Sequence, residues 1–534
     1  MIKRVLFGAV VWGMFFLSPA CRKSGASWDT DISTPVFKST FGINKLISDS
    51  LLHLNTDSSL TLVYSKSLTN YALDSLIHIP DTTVTNEYNL PVSLTLAKGT
   101  NLTPGTPNIT AYSLHGVGLK TANLHSGKMR VMIRNKIHDK IQVTYQIPMA
   151  NFFSVPFNVT VMVPACVGNV AGVFQTEYDL INYTLDLSGP AHNSINTFVT
   201  QVNAILDPAG PASVLVSNTD SLIIQSSFVN MVPSYAKGYF GQTVQHAGPS
   251  ESPFGIFSKF SSGSLLLQSV QLNFHIENGI GVDARLMIPD IYSKNSRTGN
   301  IVHLTAPIIN NPININRAIE TFSNPPAIPS TYTATLNNSN SNTKALIENM
   351  PDKLGYQMSI APDPLGNVSG YNDFIYYGYG LNAGLDLQVP LALVANNLTL
   401  ADTLAVNFDK QASNINRLHQ CSLTLYASNG FPLSAAVQLY TVNEQNIVTD
   451  SLFTASNIIG PAPLDINLKA IGTQESVLQI PVPNHKISNL VHARKLIITV
   501  QFNTSAKPSY LKIYDSYLMD FRLTGDFNYT IKVN

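Results

Sequence analysis

Charge is what this sequence has least of. Only 12% of its 534 residues are Asp, Glu, Lys or Arg, about half the ~25% of an average globular chain. The two signs balance at 32 each, so no global field draws the chain to a nucleic acid or an anionic surface. Cysteine is nearly absent, at 3 residues, which excludes a disulfide-framework fold. Apolar runs are short: the stretch Val5–Leu17 spans 13 residues, and none reaches the ~18 of a membrane-crossing helix. The motifs of common enzymes are missing as well. There is no Gly-x-Ser-x-Gly elbow, no His-Glu-x-x-His zinc pair and no Cys-x-x-Cys, each of which places its groups at a spacing the chemistry demands. Ser234-Tyr-Ala-Lys237 and Ser341-Asn-Thr-Lys344 fit Ser-x-x-Lys but lack companion motifs. The 12 His are scattered singly, without the i, i+4 pairs that put two imidazoles on one helix face. These absences lead to an expectation of no catalytic residues, no metal and no cofactor.

What the chain does have is apolar residues, at 44%, and polarity supplied by Asn, Ser and Thr. That mixture suits pleated strands better than helices, which favour Ala, Glu, Lys and Arg. Segments such as Lys128–Arg134, Lys140–Ile147 and Lys495–Phe502 alternate apolar with polar residues, as a sheet with one buried and one wetted face requires. Pro and Gly, 31 each, punctuate them. Helical spacing is confined to Ile43–Leu54 and Thr343–Asn349. The expected fold is all-β: tandem antiparallel β-sandwich-like domains with a few short helices. Linker-like composition at 323–330 and 337–342 suggests a partition into 41–190, 191–344 and 345–534, preceded by a tether over 21–40.

The N-terminus carries an address. Lys3 and Arg4 precede the apolar run, which ends in Ser18-Pro19-Ala20-Cys21. A basic start, an apolar stretch of this length and small residues before a Cys read as a lipoprotein signal over 1–20, with Cys21 as the lipidated residue. Multiple acyl chains on one Cys hold a protein to a leaflet. Of the other two cysteines, Cys166 and Cys421 are 255 positions apart and are expected as separate, buried free thiols.

A weak repeat runs beneath the strand pattern. Asn135, Asn278 and Asn429 each end one apolar-alternating run and precede another, at separations of 143 and 151 positions, about one sandwich domain apiece. Asn tolerates positive φ and can bond back to the chain, so each is expected at a hairpin.

Two further features are candidates for chemistry. Tyr376, Tyr377 and Tyr379 could form a ligand platform for a sugar, although inter-strand packing explains such a cluster more simply. Strand alternation puts Tyr377 and Tyr379 on one face and Tyr376 on the other. Asp followed by Ser or Thr recurs, with hydroxyls at Ser50, Ser75, Thr82, Ser221, Thr403 and Ser451. Locally this pair closes an Asx-type turn; it is also similar to the O-glycosylation site of exported Bacteroidota proteins.

The pieces Cys21-Arg-Lys-Ser24, Trp28-Asp-Thr-Asp31, Asp49-Ser-Leu51, Leu62-Val-Tyr64, Asn429-Gly-Phe-Pro-Leu433 and the segment from Ala493 resemble a family of Bacteroidota outer-membrane lipoproteins of unknown function. The resemblance implies a lipid-anchored outer-membrane location and no particular activity. The functional expectation is a non-enzymatic binding or scaffold subunit that partners outer-membrane proteins and no nucleic acid. A glycan-binding or glycan-degrading lipoprotein is the alternative, and a lipid carrier a weaker one.

Overall fold

The computed structural model describes residues 27–43, 51–72, 79–408, 415–452, 458–504 and 509–532. The chain is mostly β, in several antiparallel sheets, with 62% strand and 5% helix. It divides into two compact units, one of residues 1–62, 255–269 and 389–534, the other of residues 63–254 and 270–388.

In the first unit, one sheet orders Ser27–Gly42, Leu518–Lys532, Leu418–Asn429 and Gln474–Val482. A second orders Phe260–Leu267, Ala392–Ala405, Lys495–Thr504, Leu433–Val442 and Val448–Ser451. Inward positions are sealed: Leu423, Leu425, Leu439, Ile498, Val500 and Leu523 are fully buried. Residues 27–40, expected as part of a tether, are instead strand, in register with Leu518–Lys532 from Ser27 opposite Lys532 to Gly42 opposite Leu518. The segment carries β-branched Thr30, Ile32 and Thr34 at every second position, and the strand that satisfies its backbone is Leu518–Lys532.

The second unit holds a ten-stranded sheet that folds back on itself. Gly118–Asn135 and Ile141–Phe152 do not pair with each other, yet both pair with Thr184–Asp186. Met129 and Ile133 from the one strand and Ile141, Val143 and Ile147 from the other are fully buried. The rest of the unit includes Gln271–Asn278 between Ser330–Leu336 and Gly380–Pro390. A separate sheet orders Gln245–Pro253, Lys353–Pro362, Ala284–Asn295 and Asn300–His303.

The three asparagines of the sequence repeat occupy one geometry. Each is fully buried. Asn135 Nδ2 donates to the carbonyls of Asp139 and Pro164, both at 2.8 Å, and its Oδ1 accepts from the Ile137 N–H at 2.8 Å. Asn278 makes the same set with Val282 (2.9 Å), Asn316 (2.8 Å) and Ile280 (3.1 Å). Asn429 does so with Leu433 (2.9 Å), Gly460 (2.8 Å) and Phe431 (2.9 Å). The side chain thus binds i+2 and i+4 and a third strand connection 29 to 38 residues on. The expected hairpin is not what forms. At each site the two flanking strands remain unpaired with one another, and at Asn278 and Asn429 they enter different sheets. The turn is an arch, between two sheets at Asn278 and Asn429 and between non-adjacent strands of one sheet at Asn135, and no positive φ is used: Gly430 donates to Leu518 O at 2.8 Å and stays outside the left-handed region.

Of the helices, Thr343–Glu348 falls where the sequence places it. Residues 44–50 of the other expected helix lie outside the described residues, and Leu52–Leu54 is strand. A helix at Asn484–Val491 was not expected; it buries Ile487, Leu490 and Val491, an i, i+3, i+4 set. Cys166 and Cys421 are both buried and free, and burial pushes the Cys421 thiol up to about 12.

Candidate functional site

The arch at Asn278 supports a group of charged residues that its two counterparts lack. Five positions after the asparagine stands Asp283, where the other copies have Lys140 and Ser434. One position after the bonded carbonyl of Asn316 stands Arg317, where the others have Ala165 and Pro461. The arch holds these two together. Arg317 donates its backbone N–H to Asp283 Oδ1 at 2.9 Å, and its Nε and Nη2 to Asp283 Oδ2 at 3.1 and 2.9 Å. Its Nη1 lies 2.9 Å from Asp373 Oδ1, an ion pair without hydrogen-bond alignment.

Asp373 opens the short strand Asp373–Tyr376 and is completely buried. Burial raises its pKa, opposed by the Ser369 hydroxyl and the Arg317 guanidinium. A fourth member, Asp363, is 2% exposed and sits at φ +44. Its N–H donates to Asp283 O at 2.8 Å, and its own carbonyl accepts from Gln242 Nε2 at 2.9 Å. Its Oδ2 has no hydrogen-bond partner. Burial first, and then the Asp373 charge, push the Asp363 carboxyl up to about 7. One guanidinium therefore pairs with two carboxylates, Asp283 and Asp373, and acts on Asp363 through its charge alone.

Beside this cluster opens a cleft of about 260 Å³, its wall mixed: Asp283, Arg285, Asn314, Asn316 and Asp363 with Ala284, Ile315, Pro364, Leu365 and Val368. It offers a few polar groups on a largely apolar wall to a small ligand. It is poorly placed for acid–base chemistry. Asp283, the more accessible carboxylate, is clamped by Arg317, Asp373 is fully buried behind the wall, and Asp363 reaches the wall with only 2% of its surface exposed. A hydrolytic pair needs both carboxyls in reach of one bond.

The tyrosine platform is rearranged. The strand ends at Tyr376, and Tyr379 donates its N–H back to Tyr376 O at 3.1 Å across Gly378, whose φ is +82. This turn breaks the expected alternation. It brings the rings of Tyr376 and Tyr379 to 6.2 Å, packed on Ala318, Ala327 and Phe374, and sends Tyr377 outward. Tyr376 and Tyr235 both donate to Glu320 Oε1, at 3.1 and 2.8 Å, and burial with the Glu320 charge pushes Tyr376 up to about 12. Tyr377 is exposed, but one ring face is stacked on His125 at 4.6 Å. The three tyrosines therefore form no common surface.

Of the candidate modification sites, Cys21, Ser50 and Ser75 lie outside the described residues. Ser221 is 4% exposed and its hydroxyl is enclosed, so the folded chain offers it to no glycosyl donor. Thr82 and Ser451 are half-buried, and Thr403 is exposed on a strand. The Asp side chain does bond locally at two places, Thr403 N to Asp402 Oδ1 and Ser451 N to Asp450 Oδ1, both at 2.8 Å. At Asp220 it reaches backward to Ser217 N instead. Ser234 of the first Ser-x-x-Lys match lies on a strand and donates to Asn123 O, while Lys237 faces Glu320.

The cleft was missed from sequence because Asp283, Arg317, Asp363 and Asp373 come from separate segments with no shared spacing. No protein-family model matches the chain, and none of the curated proteins does. Among solved structures, the chain is similar over 55% of its length to 87% of a Parabacteroides distasonis protein provisionally described as secreted, at 12% identity and TM-score 0.30. It is similar over 92% of its length to 85% of a chain of infectious bursal disease virus, Gt strain, at 8% identity and TM-score 0.13. Scores this low carry no argument about activity or ancestry.

Proposed function

We propose that this chain is an outer-membrane lipoprotein, anchored through Cys21, that binds partners without catalysing a reaction. The observation that carries the reading is the state of its carboxylates. At the cleft Asp283 is held by Arg317, Asp373 is fully buried and Asp363 is almost wholly covered, which supports binding over catalysis. The chain as a whole is low in charge, and the Asn, Ser and Thr that carry its polarity supply hydrogen bonds for docking. The signal-like N-terminus supports the location.

A second reading, glycan binding, is favoured by the cleft itself. Its Asp, Arg and Asn groups suit ligand hydroxyls, and it replaces Tyr376–Tyr379 as the place for a sugar. Nothing favours a lipid carrier among the described residues of the second unit, where two apolar voids hold about 20 Å³ each, room for about one water. Incubation of the purified chain with a panel of oligosaccharides separates these readings. Binding without product supports the glycan reading, and neither binding nor product leaves the protein-partner reading. Turnover abolished by Asp363→Asn or Asp283→Asn overturns the non-catalytic one.

A further inference from the structure

One end of the ten-stranded sheet carries an apolar tip that its own fold does not need. Ile141–Phe152 and Val155–Val163 form a hairpin closed by Phe152 opposite Val155. The two residues between them, Phe153 and Ser154, have φ of +46 and +70. Both signs are positive, as in the tight hairpin turn that Asn-Gly ordinarily supplies. A Phe there meets a steric cost that Asn or Gly avoids. Its ring gains little burial in return: beyond an edge-to-face contact with Phe152 at 4.7 Å, Phe153 is 83% exposed, with Val155 at 65% and Phe152 at 40% beside it. Ile181, 47% exposed, joins them from the turn after Gly172–Asp179, where Tyr183 lies 5.4 Å from the Phe152 ring.

We propose that this tip, Phe152, Phe153, Val155 and Ile181, is a membrane-contact wedge that enters the interface of an electrically neutral lipid bilayer. Size and shape favour lipid over protein. The four side chains expose on the order of 500 Å² on a convex turn, against the ~800 Å² per partner of a standard protein interface. A bilayer interface instead accepts a protruding aromatic group with a tyrosine at its base. The charge pattern specifies the lipid. Residues 141–163 and 180–185 contain no charged side chain. The charges that flank these segments include Lys128, Arg130, Glu177, Asp179 and Asp186, and Lys128 and Arg130 are both paired to Glu177, so they form no unpaired cationic patch. Attraction therefore comes from apolar contact, without a requirement for anionic headgroups. The inference is independent of the anchor at Cys21 and of the cleft.

Depth-dependent quenching tests it on the full chain. Phe153→Trp places a fluorophore at the tip. Val170→Trp places one at another exposed site, at the far end of the same hairpin edge, about 30 Å away for nine residues of strand. Each variant is mixed with phosphatidylcholine vesicles with and without bromine on the acyl chains, and its signal is compared with the unsubstituted chain. The inference predicts that brominated lipid lowers the added emission at position 153 by about twofold or more and leaves position 170 unchanged. It also predicts the same quenching after phosphatidylglycerol is added or salt is raised. Equal emission in both lipids at position 153 overturns the proposal, and so does quenching that appears only with anionic lipid.

Discussion

Asn278 donates one Nδ2 hydrogen to the carbonyl of Asn316 at 2.8 Å, and that bond ties the arch to the cleft. The residue after Asn316 is the arginine that clamps Asp283 and faces Asp373. A structural device present three times thus carries a charged site once.

Replacing any of the three arch asparagines by Ala leaves two carbonyls and one N–H without partners in a fully buried place. Each orphaned group costs about 1–3 kcal/mol, so Asn135→Ala, Asn278→Ala and Asn429→Ala, with three such groups apiece, should each destabilise their unit by roughly 3 kcal/mol or more. Asn→Asp should be worse, since a carboxylate would face two carbonyl oxygens. Urea denaturation measures both. Asn278→Ala alone should also loosen ligand binding at the cleft.

Asp363 gives a pH dependence of defined sign. Its carboxyl titrates near 4 when unfolded and is pushed up to about 7 when folded. The folded state therefore binds more protons between those values, and its stability falls as pH rises from about 4 to about 7. Asp373 acts in the same direction. Asp363→Asn keeps a residue that tolerates φ +44 and removes the buried charge. It should raise stability at pH 7.5 by about 1–3 kcal/mol and flatten the slope in that window. Denaturation midpoints from pH 4 to 8 would show this; an unchanged slope contradicts it.

What could be read from the sequence was whatever one residue type or one local pattern decides. The strand alternation of Ile141–Phe152 reports its own buried face, and Asn135, Asn278 and Asn429 report a site where only a short amide fits. Pairing was not legible. Arch and hairpin have the same local pattern, and the choice rests on distant partners such as Leu518, which receives the Gly430 N–H bond. The strand Ser27–Gly42 looked like a tether because its partner is the last strand. The tyrosine faces were inverted by one left-handed glycine, Gly378. The Phe153–Ser154 turn escaped notice because it lacks the Asn-Gly signature.

The anchor is tested by metabolic labelling with a fatty-acid analogue. The unsubstituted chain should carry label and partition with membranes, and Cys21→Ala should be unlabelled. Label on the Cys21→Ala chain, or none on the original, contradicts the assignment of Cys21.

The most direct test of a binding role is isolation of the chain from its native outer membrane in mild detergent, followed by quantification of what accompanies it. A non-catalytic binding subunit predicts one or more outer-membrane proteins retained at fixed stoichiometry through size-exclusion chromatography. A monodisperse chain that retains no partner, while turning over a glycan, peptide or ester, contradicts it.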